Sequence, residues 1–244
     1  MILKDTNIRS ALKSRQRGML LNPYRFAAAN DPNFANVTLL MHGEGADAST
    51  TLTDSSVSPN TMTPVGGTQI DTAQFKYGSA SILFDGTGDY ITSAINADYQ
   101  FGTGDLTLET FIRFNVVGTA GIFSSYSDVD GGFILSYTGT ALRLYARTTF
   151  HDRAWTPSTG IWYHLAISRA ASVTRIFIDG IQLGADIADT RNWNPSPGNV
   201  NLQIGRTHTI TNDFNGWMDE IRFTKGVGRY AANFTPPAAS FPDF

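Results

Sequence analysis

From Val37 to Phe223 the chain is built of short runs in which apolar and polar residues alternate, the two-residue period of strands with one face buried. Leu106–Phe114 is the clearest. Leu106, Leu108, Thr110, Ile112 and Phe114 fall on one face, and Thr107, Glu109, Phe111 and Arg113 on the other. Trp162–Arg169 repeats the pattern, with Tyr163, Leu165 and Ile167 on one face. Val173–Ile178 and Ile181–Leu183, joined by Asp179-Gly180, read as a tight hairpin. Further strands are predicted at Val37–His42, Ser81–Phe84, Tyr90–Thr92, Ala120–Ser125, Gly132–Tyr137, Ala141–Ala146, Val200–Gly205 and Asn215–Phe223. Asp85-Gly86, between Ser81–Phe84 and Tyr90–Thr92, reads as a hairpin-like turn. Gly43–Gly67 is a long polar stretch with one short strand expected at its centre. About a dozen strands without a long helix predict an all-β, two-sheet antiparallel sandwich.

The start of the chain follows a different pattern. Residues 1–36 are expected to form a short N-terminal arm, and 37–244 the sandwich. The arm carries Lys4, Arg9, Lys13, Arg15, Arg17 and Arg25 against Asp5 and Asp31. A loose helical period runs from Ile8 to Leu20, with Thr6 or Asn7 as cap and Gly18 and Asn22-Pro23 as stop. One reading is a solvated basic tail. The other is an anchor in which Arg9, Lys13, Arg15, Arg17, Leu20, Leu21, Tyr24 and Phe26 dock on a larger assembly or a symmetry mate; its apolar residues favour that reading.

Composition narrows the function. The 244 residues carry a net charge of −3, so the chain as a whole has no electrostatic footprint for nucleic acid. With no cysteine there is neither a disulfide framework nor a thiolate metal site. Met1-Ile2-Leu3 runs straight into charged and polar residues, so no secretory leader is expected, and no apolar run approaches a membrane span. The four histidines are scattered without a metal-binding doublet, and no G-x-S-x-G nucleophile elbow is present. Gly86-Thr87-Gly88 and Gly102-Thr103-Gly104 lack the strand–helix setting of a phosphate loop and read as turns.

Six segments in order carry a family likeness. They are Leu39-Leu40-Met41-His42-Gly43 with Asp54-Ser55-Ser56, then Phe75–Ser81 with Phe84-Asp85-Gly86-Thr87-Gly88-Asp89-Tyr90, then Gly102-Thr103-Gly104-Asp105-Leu106-Thr107-Leu108-Glu109. Trp162–Arg169, Phe177-Ile178-Asp179-Gly180 and Phe214–Phe223 complete the series. Over residues 37–237 the chain resembles the laminin-G-like, concanavalin A-like lectin-glucanase domains. The closing Thr224–Tyr230 and Asn233–Pro237 are similar to versions found in bacteriophage tail and particle proteins. The resemblance implies a jelly roll and a non-enzymatic virion surface protein: a decoration, fibre or tail adhesin. Its arm would dock on capsid or tail proteins, and copies would form a homo-oligomer. It would be made in the host cytoplasm and displayed on the virion, with cell-surface polysaccharide as a further partner and neither nucleic acid nor membrane. A free carbohydrate-binding module and a sandwich-fold glycoside hydrolase are the alternatives.

For hydrolysis the candidate acids are Glu109, Asp219 and Glu220, but neighbours in a strand face opposite ways, so Asp219 and Glu220 cannot flank one sugar bond. No enzyme activity is expected. The resemblance also implies a structural Ca²⁺ site, for which Glu44, Asp54 and Asp219 are candidates beside carbonyls near Gly86; the plainer reading makes the aspartates turn or cap residues. For sugar binding the chemistry calls for aromatic platforms on polar loops. Tyr126, Phe150 with Asp152 and Arg153, and Trp193 are candidates, with Trp193 equally open to a packing role. Trp155 is read as packing over a sheet edge.

Overall fold

The structure, a computed structural model, describes residues 30–125, 131–146, 149–195, 201–208 and 212–244. Among these residues sixteen strands form two antiparallel sheets. One sheet contains β1 (Val37–Met41), β3 (Gln69–Asp71), β4 (Ser81–Asp85), β6 (Leu106–Phe114), β11 (Trp162–Ala170), β12 (Val173–Ile178), β13 (Ile181–Gln182), β14 (Ile187–Ala188) and β16 (Asn215–Lys225). The other contains β2 (Thr63–Val65), β5 (Tyr90–Ala94), β7 (Ala120–Ser124), β8 (Phe133–Tyr137), β9 (Ala141–Ala146), β10 (Thr149–Ala154) and β15 (Asn201–Ile204). The nine-stranded sheet runs β13-β12-β11-β6-β16-β4-β3, with β14 beside β12 and β1 beside the second half of β16. The seven-stranded sheet runs β10-β9-β8-β7-β15-β5-β2.

The alternation in sequence becomes the core between the sheets. Ile82, Leu108, Ile112, Leu165 and Ile167 from one sheet meet Ile91, Phe123, Leu135, Leu144 and Ile204 from the other, all fully buried. Each such side chain contributes about 1.5–3 kcal/mol of transfer free energy relative to exposure. The Asp179-Gly180 hairpin forms as its residues dictate, joining Ile178 to Ile181, with φ of +50° and +76° at the two turn positions. A side chain at 180 could not be accommodated in any case, because a Cβ there would lie 1.9 Å from the Phe234 carbonyl oxygen.

Four local expectations are corrected. Asp85-Gly86 does not close a hairpin: β4 pairs with β16 and β3, whereas β5 pairs with β15 and β2 in the other sheet. The turn instead carries the chain from one sheet to the other, braced by Asp89, whose carboxylate accepts from the Asp85 and Gly67 amides. Phe150–Arg153 is not a loop but most of edge strand β10, paired residue for residue with β9. The strict alternation assumed for Asp219 and Glu220 fails at a bulge between Asp219 and Arg222, with Glu220 at φ +52°. Met218 and Ile221 both enter the core, and the two acids between them share the outer side. Finally, the folded body begins before Val37. Asp31 is buried and ion-paired to Arg222 and Arg229, and Asn36 Nδ2 donates to the Lys225 carbonyl at 3.1 Å.

Candidate functional site

A two-sheet sandwich has two outer faces, and here they differ. The outer face of the nine-stranded sheet is plated over by the segment after β16. Glu109, 0% exposed in the middle of β6, is gripped by Arg222 at 2.8 and 3.0 Å, by the Tyr230 hydroxyl at 2.8 Å and by His164 Nε2 at 3.2 Å. Burial pushes the Glu109 carboxyl up, but Arg222, His164 and Tyr230 outweigh it and hold the group at about 2. Tyr230 stacks on Phe234 with ring centroids 3.6 Å apart, and Phe234 packs against Phe177. Phe241 lies under the Arg222 guanidinium at 3.7 Å, and its amide donates to Glu220 Oε2 at 2.8 Å. Glu109 and Glu220 are therefore structural acids beneath a second small core, away from solvent.

The outer face of the seven-stranded sheet presents aromatic and charged side chains among the described residues. Leu135, Leu142 and Leu144 point into the core, so Ile134, Ser136, Arg143 and Tyr145 point outward. The β9–β10 register then sets Phe150 opposite Tyr145 and Asp152 opposite Arg143. Phe150 is 60% exposed, and its ring lies 4.7 Å from that of Tyr145. The Arg143 guanidinium sits 4.8 Å from the Phe150 ring, and its Nε and Nη2 each donate to Asp152 at 2.7 Å. That bond raises the Arg143 pKa and lowers the Asp152 pKa, so the pair stays charged and fixed in geometry.

A ridge borders this patch. Gly121 on β7 faces outward opposite Ser136, and a Cβ there would lie 2.3 Å from the Arg206 carbonyl carbon and the Thr207 nitrogen. Only glycine lets the 206–208 backbone cross this close, and the His208 amide is held by Ser124 Oγ at 3.3 Å.

The sequence-derived candidates divide. Phe150 and Asp152 are together on the open face. Arg153 is on the opposite side of β10, where it donates to the Ala185 carbonyl at 2.9 Å. Trp193 is no surface platform: it is fully buried against Phe133 at 5.5 Å, with Arg169 at 5.1 Å and its Nε1 donating to Asp189 at 3.1 Å. A Trp amid polar residues is buried here because Arg169 and Asp189 bring polar partners inside with it. Trp155 packs on the core beside Phe114, Tyr137 and Tyr163. Tyr126 and the arm residues Arg9, Lys13, Arg15, Arg17, Leu20, Leu21, Tyr24 and Phe26 lie outside the described residues.

The three calcium candidates do not fit one donor set. Asp54 accepts from the Leu40, Ser56 and Asn60 amides, and Glu44 from the Ser79 amide and hydroxyl. Asp219 Oδ2 accepts from the Lys76 and Tyr77 amides, and burial raises its carboxyl to about 7. Among the described residues no three His, Asp or Glu side chains converge as a cation site.

Arg143 and Tyr145 were missed, although the alternation of Ala141–Ala146 carries them: with Leu142 and Leu144 inward, they must face out.

Two antiparallel sheets packed face to face across one apolar core define a concanavalin A-like sandwich. The chain belongs to the concanavalin A-like lectin/glucanases superfamily, whose family model matches residues 85–227. No curated protein sequence matches it. Among solved structures it is similar to the binding domain of Paraclostridial Mosquitocidal Protein 1, with a TM-score of 0.62, 14% identity, and coverage of 79% of this chain and 49% of that one. It is similar to domain 4 of AbnA, an extracellular arabinanase of Geobacillus stearothermophilus solved with arabinotriose: TM-score 0.59, 17% identity, covering 78% of this chain and 93% of the other. It is also similar to botulinum neurotoxin type C, described as interacting with two ganglioside molecules, with a TM-score of 0.61, 12% identity, and coverage of 80% and 49%. The chain thus spans about half the length of the two toxin structures, and at these identities the shared property is the fold.

Proposed function

We propose that this chain is a non-enzymatic carbohydrate-binding sandwich that takes its ligand on the β8–β10 part of the open face. The observation that carries the reading is the exposed Phe150 ring, fixed by Tyr145 and set beside the Arg143–Asp152 pair. The ring offers an apolar platform to the C–H face of a sugar, and the pair offers a donor and an acceptor to its hydroxyls. Burial of Glu109 and Glu220 on the other sheet supports binding over hydrolysis, which needs two carboxyls flanking the sugar bond. The arabinotriose and ganglioside ligands of the similar structures support sugar as the ligand class. The likeness of Thr224–Pro237 to phage particle proteins and the basic residues before Asn30 support display on a virion, with the arm as anchor and several copies together.

The test is a glycan array followed by calorimetry on the sugars retained. Phe150→Ala and Asp152→Asn should each weaken binding at least ~10-fold, the loss of about 1.4 kcal/mol of contact. Ile181→Ala, a change at an exposed residue of β13 in the other sheet, should leave it unchanged. Undiminished binding by Phe150→Ala, or release of reducing sugar by the wild type, would overturn the reading.

A further inference from the structure

We infer that the open face carries a second sugar subsite built from Tyr90, Arg206 and Asp213, and that the ligand is a neutral polysaccharide presenting the same unit repeatedly. The inference rests on the glycan reading above and extends it to ligand length and charge. Tyr90 begins β5 and faces outward, because its neighbour Ile91 is buried in the core. The Arg206 guanidinium lies over the Tyr90 ring at 4.3 Å. Its Nε donates to Asp213 Oδ1 at 2.5 Å and its Nη2 to Oδ2 at 3.0 Å, while the Gly88 amide fixes Oδ2 at 2.7 Å.

This arrangement repeats the chemistry of the first patch. In both, a guanidinium lies on an aromatic ring while a carboxylate holds its Nε and Nη2. The sequence order does not repeat, since Arg143 and Asp152 are on neighbouring strands whereas Arg206 follows β15 and Asp213 precedes β16. β9 and β5 are four strand steps apart, through β8, β7 and β15. That separation is roughly 19 Å, beyond the reach of one sugar ring. The 206–208 ridge over Gly121 lies between them, so the face has two compartments and not one broad trough. Two alike compartments on one face suit a polymer that offers the same unit to each. In each compartment the arginine is already balanced by its aspartate, and Asp85 and Asp89 add negative charge beside the second, so neither site offers an unbalanced cation to an acidic sugar. Hydroxyl groups match that offer; carboxylated or sulfated sugars do not.

The probes are soluble arabinan, β-glucan and mannan, with polygalacturonate as the acidic comparison, in affinity electrophoresis. The polymer retained is then cut into short fragments for calorimetry. Wild type should bind two short fragments per chain; Tyr90→Ala, Arg206→Gln and Phe150→Ala should each bind one. On the intact polymer each variant should lose at least ~10-fold in affinity, the loss of a linked second contact. One fragment per wild-type chain, or unchanged polymer affinity in both Tyr90→Ala and Arg206→Gln, would remove the second subsite. Loss of all binding in Phe150→Ala would remove it too while leaving the first reading intact. Wild type retained by no polymer yet binding sugars on the glycan array overturns the repeating ligand alone, wild type that binds neither overturns both readings, and preference for polygalacturonate overturns the neutral ligand.

Discussion

Acidification from pH 8 to pH 6 should tighten this fold, and Asp219 is the reason. Its Oδ2 accepts two backbone amides, but Oδ1 is buried with no hydrogen-bond partner. A charged oxygen left unpaired out of water is unfavourable, and burial, reinforced by the nearby Glu220, lifts the carboxyl from 3.8 to about 7. The folded chain therefore holds this proton where the unfolded chain releases it. Its contribution is full at low pH and is lost as pH rises through about 7. Across pH 8 to 6 a group titrating near 7 takes up most of one proton, which is about 1.4 kcal/mol. For a domain of this size that is a rise of about 3–6 °C in melting midpoint. His42 shifts the same way: burial lowers its pKa, but its contact with Glu220 wins and raises it. Denaturant unfolding followed by tryptophan fluorescence at pH 6, 7 and 8 measures the slope. Asp219→Asn places an amide where the protonated acid stands and does not titrate, so its stability should stay level while wild type falls, widening the gap between them by about 1.4 kcal/mol from pH 6 to pH 8. Parallel stability curves for the two proteins would refute the reasoning.

Other consequences follow from the same structure. Glu109→Gln leaves Arg222 in a buried site with only Asp31 as its carboxylate, and should cost about 3–5 kcal/mol in denaturant unfolding. Because the Glu109 pKa is lowered, wild type should also lose stability as pH falls from about 4.5 towards 2, and the Gln variant should lose less there. Gly121→Ala drives a methyl into the 206–208 backbone and should cost about 1–3 kcal/mol while weakening ligand binding. A chelator should leave the melting midpoint unchanged, since Glu44 and Asp54 accept from local donors and, among the described residues, no three acids or histidines converge with Asp219. A midpoint that climbs with millimolar calcium would show that these acids rearrange around the ion.

Much of the strand inventory is legible in the residue pattern, because alternation and turn chemistry are local. Leu106–Phe114, Ala141–Ala146 and Val173–Ile178 match their expected bounds. Partner choice is not local. A Gly-rich turn between two short strands looks the same whether it closes a hairpin or crosses between sheets, and only the register of β4 and β5 decides. The bulge at Asp219–Glu220 is invisible for a similar reason: one extra residue leaves composition unchanged but turns the second acid to the other side. In the candidate site, Phe150 and Asp152 were found from their residue types, and Arg143 and Tyr145 only through cross-strand pairing. Trp193 misled because its polar neighbours suggest a surface loop, whereas Arg169 and Asp189 form a polar lining for it inside.

The small core under the tail also fixes direction. Asp31 donates its amide to the Phe244 carbonyl at 3.1 Å, so the two ends of the described body lie side by side, on the plated sheet. Both described ends therefore sit on the opposite face of the sandwich from Phe150 and Tyr90, so a tag or surface linkage added after Phe244 would leave those two rings facing solvent, like a shield held by a strap on its back.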